Sequence, residues 1–242
     1  MIKQTYDFTV DTSMLDRYGV VTPEGYQRMV VTTTEKELER INLSIAALIK
    51  NYGISWVLLS FTVKILQAIK PSQNLKITTW HTWQKGVIFR RDFEICDESG
   101  NPLVYATTFS SLFDIQKRRI CMDRKVYEML NLEGGDELFD AESRHQVPSE
   151  KEFCEETAVR PHWIDSLGHV NNFKYGQLAY DNLTDFYREN SKQLQRLEMF
   201  FTGELRLGES VVISRHIADN LVEIVGEHAE DNKPAFLVRM HY

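Results

Sequence analysis

The chain has 242 residues, 43% of them hydrophobic and 26% charged, a composition that suits a globular fold with a sizeable core. Its net charge of −7 disfavours a nucleic-acid binder. There is no run of eighteen apolar residues, so no membrane span is expected.

The first residues, "MIKQTYDFTVD", lack a basic region followed by an apolar stretch. No secretory or organellar leader is therefore expected, and the chain reads as cytoplasmic. Tyr6–Val10 alternates like a strand. Thr22 then Pro23 reads as a helix cap and first helical residue, with "PEGYQRMVVTTTEKELER" continuing the helix. Asn42 is assigned as the cap of a short second helix, "LSIAALIKNYG", that ends at Gly53. Four β-rich runs follow, separated by turn signals: "SWVLLSFTVKIL", "LKITTWHTWQ", "GVIFRRDFEICD" and "PLVYATTFSSLFDI".

The acidic stretch "NLEGGDELFDAESRHQVPSEKE" (131–152) has two glycines, a proline and little periodicity, and reads as an exposed connector. It divides the chain into units 1–130 and 153–242. Residues 1–130 carry 17 Lys+Arg against 14 Asp+Glu, whereas residues 131–242 carry 11 against 21, so an acidic partner is expected on the first unit.

The second unit repeats the order of the first. "EETAVRPHW" leads into "WIDSLGHVNN", and a helix is expected from there to about Asn190. The runs "RLEMFFTGEL", "ESVVISRHIA", "LVEIVGEHAE" and "AFLVRMHY" follow as strands. The turn in "CDESGNPLVYA" is matched by that in "HAEDNKPAFLVR". A duplicated unit of strand, long helix and antiparallel strands is the simplest reading, giving an α+β fold in which each sheet buries one face on a helix.

The stretch from Asp165 to Asn172, "DSLGHVNN", places an acid, a glycine, an imidazole and two amides at a helix mouth. Helix N-termini present unpaired N–H groups and partial positive charge, suited to capping or to a polarised oxygen. Gly168 offers a positive φ or a close substrate approach. Asp165 accepts hydrogen bonds from the turn or orients a water. His169 donates to an oxygen or carries a proton near neutral pH. Asn171 and Asn172 are caps or uncharged donors and acceptors.

The pattern D-x-x-G-H-V-N-N-x-x-Y resembles the signature of hotdog-fold thioesterases, in which a sheet wraps a central helix. From about Tyr6 to the end, the chain resembles the acyl-acyl-carrier-protein thioesterases of plants and bacteria, which carry two hotdog units in tandem. The segments that carry this resemblance are "ISWVLLSFTVKI", "GVIFRRDFEI", "FDIQKRRIC" and "GHVNNFKY". It implies hydrolysis of the thioester joining a fatty acyl chain to acyl carrier protein, with no cofactor and no metal. It also implies a catalytic second unit, an acyl pocket in the first, and a monomer or homodimer.

By the same resemblance, Asp165 and His169 match the first and last residues of the family pattern D-x-N-x-H. Leu167 stands where its Asn would be, so that role passes to Asn171, Asn172 or a backbone group. The family's strand glutamate maps to Glu204, with Glu209 as the alternative. Gly168 and Trp56, with Leu58 and Phe61, are assigned to substrate. Arg90 and Arg91, with Lys117, Arg118 and Arg119, are assigned to the acidic carrier.

The three cysteines, Cys96, Cys121 and Cys154, are odd in number and lack metal-like spacing, which fits a reducing compartment. None follows Cys154, so a cysteine beside Glu204 is excluded as nucleophile. A G-x-S-x-G elbow is also absent. Water is therefore the expected nucleophile. The rival readings are an acyl-CoA hydrolase on the same fold, a hydratase, and a non-catalytic acyl-binding regulator; the last lacks a visible output module.

Overall fold

The computed structural model describes residues 2–242 apart from Asn131 and Glu133. Its first helix, α1 (Pro23–Arg40), starts where Thr22 Oγ1 accepts the Gly25 N–H at 3.1 Å, as the Thr-Pro pair anticipates. The second, α2 (Ile45–Tyr52), is capped by Ser44 rather than Asn42. Asn42 is used in ending α1: it adopts φ +58° while the Leu43 N–H reaches back to the Leu38 carbonyl at 2.8 Å. Gly53, at φ +67°, terminates α2 as expected.

The first-unit strands are β1 (Gln4–Thr9), β2 (Ile54–Ile65), β3 (Asn74–Lys85), β4 (Ile88–Asp97), β5 (Pro102–Asp114) and the short β6 (Arg119–Ile120). A short helix, α3 (Arg124–Leu130), precedes the connector. Beyond it come β7 (Glu152–Ala158), α4 (Asn172–Asp181), α5 (Asp185–Glu189), β8 (Arg196–Phe201), β9 (Ser210–Ala218), β10 (Leu221–His228) and β11 (Pro234–His241). The single helix expected to run to Asn190 is thus broken. Buried Asn182 turns its Nδ2 back onto the Leu178 carbonyl and onto Glu155, competing with continuation of the helix, and α5 starts after Thr184.

All strands join one antiparallel sheet in the order β1-β3-β4-β5-β2-β8-β11-β10-β9-β7, with β6 beside β5. Read outward from the β2–β8 seam, the two halves lay down their strands in the same order. At the seam Ser60 lies opposite Phe200 and Lys64 opposite Arg196.

The sheet wraps α1 and α4, which pack on each other. Gly176 of α4 permits this approach, because a Cβ there would lie 3.0 Å from the Glu24 backbone nitrogen of α1. One continuous core results. Tyr26, Met29 and Val30 of α1 and Tyr175, Leu178 and Ala179 of α4 are buried among Ile77, Phe93, Leu197 and Val238. Their removal from water is the main term that holds the two halves together.

The connector is not merely exposed. It crosses the outer face of the sheet as a strap without helix or strand. Trp80 Nε1 donates to the Asp136 carbonyl, Ser60 Oγ to the Glu142 carbonyl, and Arg196 to the Asp140 carbonyl, each at 2.9 Å. The strap thereby satisfies polar groups that a bare outer face would leave to water.

Candidate active site

Asp165–His169 forms a tight turn closed by a bridge between Ile164 and Val170. The Asp165 N–H donates to the His169 carbonyl at 2.9 Å, and the Gly168 N–H to the Asp165 carbonyl at 3.1 Å. Gly168 has φ +86° with open space around its missing Cβ, so the glycine is needed for conformation rather than for room. Asp165 Oδ1 accepts the Leu167 N–H at 2.8 Å. Leu167 itself is exposed and has no polar role.

The same turn occurs in the first half. Leu15 bridges Val21, the Asp16 N–H donates to the Val20 carbonyl at 2.8 Å, and Gly19 has φ +73°. Asp16 corresponds to Asp165, Gly19 to Gly168 and Val20 to His169. The acid and the glycine therefore belong to the turn itself, and the histidine is found only in the second copy. Asp16 Oδ2 is used to bind Tyr180 and Ser191 of the other half, whereas Asp165 Oδ2 faces His169 Nδ1 at 3.4 Å.

His169 is about four-fifths buried by its side chain. Its Nδ1 lies between two acceptors, Asp165 Oδ2 and the Val170 carbonyl, each at 3.4 Å. In the neutral tautomer with its proton on Nδ1, that proton faces the Val170 carbonyl and the Asp165 carboxylate, and the Nε2 lone pair is free. The N–H groups on either side of His169 are occupied: Gly168 by Asp165, and Val170 by the Leu205 carbonyl at 2.7 Å. Among the described residues the His169 N–H donates to no acceptor. Of the three amides from Gly168 to Val170, this one alone is open to a substrate oxygen.

Asn171 and Asn172 divide their duties. Asn171 Oδ1 accepts the Phe173 N–H at 3.0 Å and caps α4, so it has the helix-starting role. Asn172 is the first residue of α4, and its side chain has no protein partner among the described residues.

Glu204 lies in the loop after β8, not on a strand as anticipated. The Val170–Leu205 hydrogen bond sets it beside the turn, since residues 169 and 204 flank the bonded pair. The buried hydroxyl of Tyr175 receives the Leu205 N–H at 3.5 Å, which further fixes the loop. Glu204 Oε2 accepts from Arg118 of the first half and from Arg206 at 3.0 Å. Its Oε1 has no protein partner among the described residues. Glu209 accepts the Arg206 N–H at 2.9 Å and faces His228.

Other assigned residues lie elsewhere. Arg90 and Arg91 are buried, 2% and 8% exposed, and cannot meet an acidic surface. Arg90 pairs with Asp92 and with Glu137 of the strap. Arg91 donates to Thr79 Oγ1 at 3.3 Å, and burial pulls its guanidinium down to about 10. Both sit on β4, which is covered on one face by helices and on the other by the strap, so neither direction leads to water. Lys117 pairs with Asp114 across an exposed turn, and Arg119 lies on β6. Half-buried Trp56 donates to the Leu43 carbonyl at 2.9 Å and meets Phe89 edge-on at 5.0 Å. Phe61 is wholly buried in the main core. A cleft of about 660 Å³ opens between Leu66, Phe186 and Tyr242, but none of Asp165, His169 and Glu204 lines it. The turn, not that cleft, brings together groups able to move a proton.

Comparison with known proteins gives the family and the fold. The family model described as acyl-ACP thioesterase N-terminal domain matches residues 2–131, and the C-terminal domain model of the same family matches residues 146–240. Among solved structures, an acyl-ACP thioesterase from Bacteroides thetaiotaomicron is 16% identical with a TM-score of 0.86, over 99% of this chain and 97% of that one. A 12:0-ACP thioesterase from Umbellularia californica is 13% identical with a TM-score of 0.82, over 99% and 96%. At these identities the structural likeness speaks to the fold. No curated protein sequence matches the chain.

Proposed function

The chain belongs to the acyl-ACP thioesterase family and hydrolyses fatty acyl-ACP thioesters; we propose that it does so at the Asp165–His169 turn, with water as the nucleophile. The observation that carries this reading is the 3.4 Å approach of His169 Nδ1 to Asp165 Oδ2 in a turn whose first-half copy has valine instead. The carboxylate holds the ring proton on Nδ1 and so offers Nε2 as a base.

In the reaction the thioester carbonyl oxygen accepts from the His169 N–H, with Asn172 beside it. Water, oriented by Glu204 Oε1, gives a proton to His169 Nε2 as its oxygen bonds to the carbonyl carbon. The C–S bond then breaks, the electron pair leaves on sulfur, and the imidazolium returns the proton. A thiol of pKa about 8.5 leaves readily near neutral pH, so a stronger acid is not required. The water's proton passes to His169 and not to Glu204 or Asp165. Both carboxylates are already held, Glu204 by two arginines and Asp165 by the turn and the ring.

In this reading the first half receives the acyl chain. Two units fused through the β2–β8 seam already provide the pairing of hotdogs, which favours a monomer over a homodimer. The three cysteines are free thiols, in keeping with a reducing cytoplasm. No helix among the described residues is long and apolar enough to cross a membrane.

The test is thiol release from matched acyl-ACP and acyl-CoA. Acyl-ACP is expected to be cut with the higher kcat/KM, together with loss of acyl-ACP hydrolysis in Asp165→Asn. Preference for the CoA ester would point to the rival carrier. Full activity of Asp165→Asn would move the site elsewhere.

A further inference from the structure

Arg118 is a long cationic residue at φ +52° in the turn between β5 and β6. Among the described residues the other non-glycine positions with positive φ are Asn42, Ser72, Asp219 and Asn232, all short polar side chains. An arginine held there is a local strain that the fold retains, and such strain is often coupled to function. Its guanidinium crosses from the first half to Glu204 of the second and lies over the Phe113 ring at 5.6 Å. Arg118 and Arg206 both take Glu204 Oε2, so the carboxylate is fixed by one oxygen with the other left open. The first-half counterpart of Glu204 in the duplicated loop is Ala68, so this ion pair serves only the histidine-bearing copy.

We propose that Arg118 is a positioning residue for hydrolysis: it holds Glu204 from across the two halves so that Oε1 orients the attacking water. This rests on the reading of the Asp165–His169 turn, with Glu204, as the site. On this view the second half alone does not complete its own centre. Arg118 acts through Glu204 and touches neither thioester nor water.

The test compares full-length wild type, Arg118→Gly, Arg118→Lys, Glu204→Ala and the Arg118→Gly/Glu204→Ala double variant for kcat, KM and Tm on one acyl-ACP. Glycine removes the guanidinium and relieves the backbone, so Tm is expected to hold or rise. The expected kcat loss is about tenfold in Arg118→Gly, with KM within about twofold, as for a misplaced catalytic group. Arg118→Lys keeps the charge and is expected to recover most of kcat. The double variant is expected to be no slower than Glu204→Ala, because the two residues act as one unit. Wild-type kcat in Arg118→Gly, a change in KM alone, a lower Tm in proportion to lost activity, or additive losses in the double variant would each overturn the proposal. If Glu204→Ala is itself as fast as wild type, the assignment of Glu204 fails and Arg118 falls with it. A slow Glu204→Ala beside a fast Arg118→Gly removes Arg118 alone.

Discussion

His169 Nδ1 stands 3.4 Å from Asp165 Oδ2, four residues back in the same turn. Asparagine at 165 keeps the Oδ1 acceptor for Leu167 N–H but can turn an amide N–H toward the ring. The imidazole then accepts at Nδ1 and carries its proton on Nε2, the wrong atom for a base. Asp165→Asn is expected to lower kcat about 10²–10⁴-fold with little change in Tm. Steady-state rates beside a melting curve check this.

The duplicated turn gives a second expectation. Gly168→Ala and Gly19→Ala both force a side chain into the left-handed region, at φ +86° and +73°. Each is expected to cost about 1–2 kcal/mol of stability. Only Gly168→Ala is expected to slow turnover as well, since its turn carries His169. Equal losses of activity in both would mean that the turn matters for folding alone.

Acid should destabilise the protein in two stages. Burial lowers the His81 ring to about 4, from an ordinary value of 6.5. Below 6.5 the unfolded chain takes up this proton before the folded one, so stability falls as pH drops from about 6.5 to about 4. Glu198 is held at about 2, from 4.5: burial opposes its charge, but His241, Arg196 and Arg239 outweigh it. Its contribution, present above 4.5, is lost as pH falls through about 2. Denaturant midpoints across pH 7 to 4 check the first stage, and His81→Phe should flatten that slope.

Arg90 offers a test of burial against docking. Removing one partner from a buried ion pair costs about 3–5 kcal/mol, and Arg90→Ala is expected to lower stability on that scale. An unchanged Tm combined with a raised KM for acyl-ACP would return Arg90 to the carrier-binding surface.

Much of the fold was legible because local rules and tertiary packing agree. Thr22 and Pro23 start α1, Gly53 ends α2, and the alternating runs became strands. The cap at Asn42 misled because an asparagine serves a helix end as readily as a helix start, and Ser44 two residues on took the second role. The helix break at Asn182 depends on Glu155, a partner 27 residues away. Burial of Arg90 and Arg91 was hidden for a similar reason. Charges on a strand read as surface until both faces are seen to be covered, here by helices and by a strap that sequence shows only as polar coil. In the site, the cluster from Asp165 to Asn172 was visible as a pattern, but its division of labour was not. Nothing local distinguishes Asn171 the cap from Asn172, and Arg118 meets Glu204 across 86 residues.

The central claim is that His169 carries the proton of the attacking water. Its most direct test is single-turnover hydrolysis of a fatty acyl-ACP by His169→Ala, with wild type and a melting curve alongside. The expected result is a chemical step slower by about 10²-fold or more with Tm preserved. Release of free fatty acid at the wild-type rate by a folded His169→Ala would contradict it.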